Sequence, residues 1–120
     1  MNDQEVEQEL KTKGKTAPRV TPDAVEASVL EEHYFTGADG VLGASEDGKH
    51  LDCHVSMGLL TLCVLVLENG FVVVGQSACA SPSNFDADIG RALARADAKR
   101  KVWPLLGYEL RTKLGKGGPA

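Results

Sequence analysis

Nine consecutive positions, Leu59 to Leu67, hold one polar side chain, Thr61. A run of that length without apolar–polar alternation reads as a central β-strand covered on both faces. Glu68-Asn69-Gly70-Phe71 follows directly. Asn-Gly between two apolar segments is a strong hairpin signal, because both turn positions favour positive φ. Phe71 to Ala78 is therefore expected to return antiparallel, with Pro82 ending the pairing. The remaining segments have to fit around this hairpin.

Upstream, Thr21-Pro22-Asp23 has the chemistry of a helix start: a capping hydroxyl, then a proline whose missing N–H costs nothing in the first turn. Val25, Val29 and Leu30 give that helix an apolar face to about His33. Thr36 to Gly40 is expected to break it, and Val41 to Lys49, punctuated by Gly43, Asp47 and Gly48, to run as a loop. Leu51, Cys53, Val55 and Met57 alternate with His50, Asp52, His54 and Ser56, the pattern of a half-buried strand. Downstream, Ser83 or Asn84 caps a long helix, with Asp86 and Asp88 at its positive end. Ile89, Ala92, Leu93, Ala96 and Trp103 form its apolar sector, and Arg100 falls inside that sector. Pro104 kinks this helix or restarts it as a short one reaching about Leu114. The fold class is α+β: an antiparallel sheet of three or more strands, an N-terminal helix, and one long plus one short C-terminal helix. Residues 21–114 form the single domain. Residues 1–20 and 115–120 are expected to be flexible tails, the first at most a frayed helix.

Charge is unevenly placed. Residues 21–90 carry eleven acids and one base, Lys49, whereas residues 91–120 carry eight bases and two acids. Such a split suits self-association, acidic body against basic helix, or capture of an anion at the basic end; a merely solvated helix face is the plainer account. Nucleic acid is not the expected partner, because the acidic body opposes a polyanion. No apolar run reaches the ~20 residues of a membrane span, so no membrane partner is expected. Met1 is followed by polar and acidic residues, which is not a signal peptide. Three unpaired-looking cysteines suit a reducing cytoplasm.

The candidate chemistry is sparse. His50, Asp52 and His54 can face one way, but no fourth ligand accompanies them, and an exposed polar strand face is the preferred account. Cys79 with Ser77, Ser81 and Ser83 lacks a nucleophile elbow and a neighbouring histidine. No catalytic set, metal or cofactor is expected, and the chain does not read as an enzyme. The loop entering the long helix is better suited to anion or nucleotide capture. Ser77 and Asn84 supply polar groups there, and Asp86 can accept from ribose hydroxyls. Arg100 and Lys101 lie about 25 Å further along the helix, so one small ligand reaches both ends only with a neighbouring subunit's help. Lys49 is a further candidate as the lone base of the acidic body.

Glu32-His33-Tyr34-Phe35, Asp39-Gly40, the Leu59–Leu67 run, Asn69-Gly70-Phe71, Ser77-Ala78-Cys79, Ser81-Pro82, Asn84-Phe85-Asp86, Ile89-Gly90-Arg91 and Trp103-Pro104-Leu105 with Gly107-Tyr108 resemble, in this order, a family of short bacteriophage accessory proteins. The chain also resembles the Thoeris anti-defence sponges, phage proteins that assemble as oligomers and sequester cyclic ADP-ribose isomers or other cyclic nucleotides without cleaving them. That second resemblance implies a homo-oligomer in the cytoplasm of an infected bacterium, with ligand contacts from Asn84 and from Arg100 or Lys101. It also implies an aromatic on the strand before the loop. Val74 stands on that strand, with Phe71 and Phe85 nearby. The other expectation is an inhibitor or regulator of a host protein.

Overall fold

The computed structural model describes residues 1–117. Its elements run α1 (Asp3–Thr12), α2 (Pro22–Ala27), β1 (Val29–Thr36), α3 (Gly37–Ala44), β2 (Leu60–Leu67), β3 (Val72–Ala78) and α4 (Ala87–Gly117), with 3-10 turns at Val55–Leu59 and Pro82–Asn84. The three strands form one antiparallel sheet in the order β1-β2-β3. The predicted hairpin is present: β2 and β3 pair from Leu60↔Ala78 to Val66↔Val72, and Gly70 takes φ 86° in the turn. The class is α+β, with a long C-terminal helix on one face of the sheet.

Three local expectations fail, each for a nameable reason. The helix opened by Thr21 stops at Ala27, and Val29–Thr36 is a strand. Its β-branched and aromatic residues pair across to β2, with Tyr34 opposite Cys63 and Phe35 opposite Leu62. Thr36 to Gly40 starts a helix rather than breaking one. Thr36 Oγ accepts from the Asp39 N–H and the Asp39 carboxylate accepts from the Thr36 N–H, a capping box that outweighs the glycines of the supposed loop. Residues 51–57 form no strand and join neither edge of the sheet, because a local alternative takes the chain: His54 accepts from the Ser56 N–H and caps a 3-10 turn over Val55–Leu59. The first twenty residues include a capped helix, α1, whose buried Glu7 receives two hydrogen bonds from Arg19 at 2.8 and 2.9 Å. At the other end, residues 115–117 belong to α4, and 118–120 of the expected tail lie outside the described residues. Pro104 sits inside α4, which continues past it.

The core lies between the sheet and α4. Cys63, Leu65, Leu67 and Val73 from the sheet meet Ala94, Ala98 and Val102 from the helix, with Val25 of α2 closing one side. Those helix residues recur every fourth position, so they stack on one face. Small side chains let the helix settle directly on the strand. A Cβ at Gly75 would lie 2.1 Å from the Ala94 carbonyl oxygen and 2.3 Å from the Ala98 nitrogen. The opposite sheet face is not covered. Leu62, Val64 and Val66 are half-buried there, and Val72 and Val74 are exposed. The both-sided burial expected of β2 is therefore supplied on one side only.

Part of the charge split is resolved within the chain. Arg95 makes a bidentate pair with Glu26 at 3.0 and 2.6 Å and reaches Glu32 at 3.3 Å, while Lys99 meets Glu26 at 2.8 Å. This cluster joins α2, β1 and α4. Hydrogen bonds from Arg95, then Lys99, hold the Glu26 carboxyl down from 4.5 to about 2. Because the folded value is depressed, the stabilisation is complete above about pH 4.5 and is lost as the pH falls towards 2. Glu26 is partly solvated, so the expected size is only about 1 kcal/mol. Urea melts of the wild type and Glu26→Gln should differ at pH 7 and converge near pH 2; a constant difference across that range would exclude the linkage.

Candidate functional site

The predicted residues separate into distinct places. Ser77, Asn84 and Asp86 come together where β3 leaves the sheet and α4 begins. They line a cavity of about 110 Å³ with Leu59, Phe85, Ile89 and Leu93. The loop is braced from within: the Cys79 thiol donates to the Ser81 carbonyl at 3.1 Å, and the Ser81 and Ser83 hydroxyls are 3.0 Å apart. Asp86, rather than Ser83 or Asn84, caps α4; one of its oxygens accepts from the Ile89 N–H at 3.0 Å. Asn84 has its backbone N–H tied to the Ser81 carbonyl, and its exposed side-chain amide has no partner among the described residues. Gly90 is required here, since a Cβ would lie 2.7 Å from the buried Thr61 hydroxyl.

The other candidates stand elsewhere. Phe71 is at the opposite end of β3, beside an open groove of about 330 Å³ formed with Leu67, Leu105, Leu106 and Tyr108. Glu68 and Glu109 also line that groove, and their carboxylates disfavour an anionic ligand. Val74 projects from the uncovered sheet face, opposite Val64. Lys49 lies exposed in the loop after α3, its N–H bonded to the Asp47 carboxylate.

Lys101 is occupied: its ammonium donates to the Val74 carbonyl and approaches Asp97 at 3.9 Å. Asp97 in turn accepts from the Gln76 N–H at 2.9 Å. Together they satisfy two outward-facing groups of β3, the Gln76 N–H and the Val74 carbonyl; β3 is an edge strand, and this blunts its capacity to pair with other strands there. Arg100 pairs with Asp97 at 3.0 Å and is not inside the core, contrary to the helical-wheel expectation. The wheel assigned Ile89 and Leu93 to the core as well, yet both are exposed. Sequence reasoning could not separate two apolar faces of one helix; the run of small residues at 90, 94 and 98 was the available sign of the buried one. His50, Asp52 and His54 do not converge as a metal set, and the described residues hold no cluster suited to one. No helix among them is long and apolar enough to cross a membrane.

A family model for phage proteins matches residues 20–114. The chain belongs to the phage protein (N4 Gp49/phage Sf6 gene 66) family. The matched span of this phage protein takes in α2, the whole sheet, the cavity at Asn84 and nearly all of α4. No curated protein and no solved structure matches it.

Proposed function

We propose that this phage protein binds and sequesters a cyclic nucleotide immune signal, a cyclic ADP-ribose isomer or a cyclic oligonucleotide, without cleaving it. The observation that carries this reading is the convergence of Ser77, Asn84 and Asp86 on one cavity, with the Asn84 amide free to bond a base edge or ribose. The groove beside Phe71 is larger but holds two carboxylates, Glu68 and Glu109, against one, Asp86, at the Asn84 cavity, so a phosphate-bearing ligand is repelled less at the Asn84 end. A cavity of about 110 Å³ is smaller than the ~300 Å³ or more of ordinary small-molecule sites. It is therefore one wall of a site, and a second copy of the chain supplies the other. The protein acts as a homo-oligomer in the cytoplasm of the infected bacterium, and sequestration asks for affinity rather than an acid–base pair.

The test is mass spectrometry of heat-released supernatant from protein purified out of cells making cyclic nucleotide signals. Wild type should release intact nucleotide. Asn84→Ala should retain at least ~10-fold less, because a hydrogen bond to a charged or buried ligand group contributes about 1.5 kcal/mol or more. Its melting temperature should be unchanged. An empty wild type with no thermal shift on any cyclic nucleotide would sink the reading.

The uncovered apolar sheet face favours a second reading, an inhibitor that docks a host protein there. A host protein retained by wild type and lost with Val64→Glu would support it. Charge reversal at Arg95 is unsuitable for that purpose, since it would break the internal Glu26 cluster.

A further inference from the structure

Helix α4 carries a second apolar seam, of which the monomer packs Trp103 against its core and leaves most of the rest open. The core takes Ala94, Ala98 and Val102. Ile89, Leu93, Ala96, Arg100, Trp103, Gly107, Leu110 and Leu114 recur at alternating spacings of four and three. That is the a/d repeat of a coiled coil, and it extends about 38 Å along the helix. Much of it faces solvent: Ile89 is 60%, Leu93 55% and Leu114 45% exposed, and the Arg100 side chain is 70% exposed. A Cβ added at Gly107 would meet nothing within 4 Å. Trp103 and Leu110 are half-buried, and an open cleft of about 270 Å³ runs between Ala96, Arg100 and Trp103 on one side and Asn2 and Asp3, at the start of α1, on the other.

We infer that α4 pairs antiparallel with α4 of a second copy of this chain through that seam. The seam is its own complement when reversed. A two-fold axis between Arg100 and Trp103 sets Ile89 against Leu114 of the second copy and Leu93 against Leu110. The same axis sets Ala96 against Gly107, and Arg100 against Trp103. Large side chains meet large ones, small meet small, and the one cation meets the one indole, where a guanidinium over the ring face is favourable. Each layer pairs an a position with a d position, as antiparallel packing requires. The flanking cations Arg111 and Lys113 fall opposite Gly90 and Ala92, so like charges do not meet there. The polar layer at Arg100 fixes the register, because any slip would set the cation against an aliphatic layer. The elongated chain agrees: its radius of gyration is 18.5 Å, against about 14 Å for a compact chain of this length.

This pairing needs no nucleotide, so its test on ligand-free protein can succeed where the sequestration reading fails, although that reading also asks for a second copy. The full-length protein, free of ligand, is weighed by light scattering and sedimentation. Wild type at about 10 μM should be an even-numbered assembly containing the dimer. Leu93→Asp should weaken that pairing by on the order of 100-fold or more, with far-UV circular dichroism and melting of the dissociated chain unchanged, because Leu93 lies outside the core. A second variant, Ile89→Cys with Leu114→Cys, reports direction. Oxidation followed by peptide mapping should yield the 89–114 intermolecular link. Three results would overturn the inference: a wild-type monomer at about 100 μM, a mass unaffected by Leu93→Asp, or 89–89 and 114–114 links in place of the mixed one.

Discussion

Gly75→Ala is expected to destabilise the protein by about 3 kcal/mol or more, lowering its melting temperature by roughly 10 °C. The added methyl has nowhere to go. It would sit 2.1 Å from the Ala94 carbonyl oxygen and 2.3 Å from the Ala98 nitrogen, both of them helix backbone. Backbone in a packed helix cannot swing aside as a side-chain end can, so α4 must lift off β3. Lifting it opens the layer formed by Cys63, Leu65, Val73 and Val102. Gly43→Ala is the control. It lies in helix α3, not in the sheet, and a methyl there meets nothing within 4 Å. Helix propensity favours alanine over glycine by up to about 1 kcal/mol, so Gly43→Ala should be neutral or stabilising. Equal melting of the two variants would contradict the close approach of α4 to the strand.

Leu65→Ala is the second large effect. Leu65 is fully buried under α4, and truncating a leucine there should cost about 3 kcal/mol in urea denaturation. Its neighbour Val64 faces the other way, paired with Val74 on the uncovered face. Val64→Ala should cost less than about 1 kcal/mol in the isolated chain, because little packing is lost. The contrast between adjacent residues of one strand tests which sheet face is the core. Similar losses at both positions would mean that the second face is covered too.

That contrast marks how far the chain could be read unaided. β2 is apolar on both faces, and an apolar run signals burial without saying what does the burying. The hairpin was legible because its signal is local: Asn69-Gly70 needs only its own backbone and the two flanking runs. The start of α2 at Thr21-Pro22 was legible for the same reason. β1 was not. Val29 to Thr36 carries apolar residues at a spacing compatible with a helix, and only pairing with β2 makes the strand the lower-energy choice. α3 was hidden by three glycines, although Thr36 and Asp39 hold the spacing of a capping box. The alternation from Leu51 to Met57 had the strand period, but the chain turns locally after His54 and joins neither edge of the sheet.

The candidate site divides in the same manner. Ser77, Asn84 and Asp86 were read from a short stretch around one helix start, and they do line one cavity. Arg100 was singled out for falling inside the apolar sector of α4, with Lys101 as the basic residue beside it, and both are held by groups whose placement depends on the sheet. Asp97 lies only three or four residues away, but it is held in place by the Gln76 N–H of the sheet edge, and Lys101 reaches Val74 across from the helix. A helical wheel averages over the whole circumference of α4 and cannot tell which apolar arc meets the sheet.

By itself, then, the sequence determined the pieces whose energy is local: the β2–β3 hairpin, the capped start of α2, the long C-terminal helix and the α+β class they imply. Membership of the phage protein family rests on the same linear information. Only the tertiary structure decided which face of β2 and which arc of α4 are buried. It also decided that Glu26, Glu32, Arg95 and Lys99 neutralise one another, and that Lys101 satisfies the Val74 carbonyl of an edge strand. The physical reason is that burial and ion pairing depend on distances between segments far apart in the chain. Local propensity does not set those distances; close approaches between segments do, such as that of Ala94 and Ala98 to Gly75.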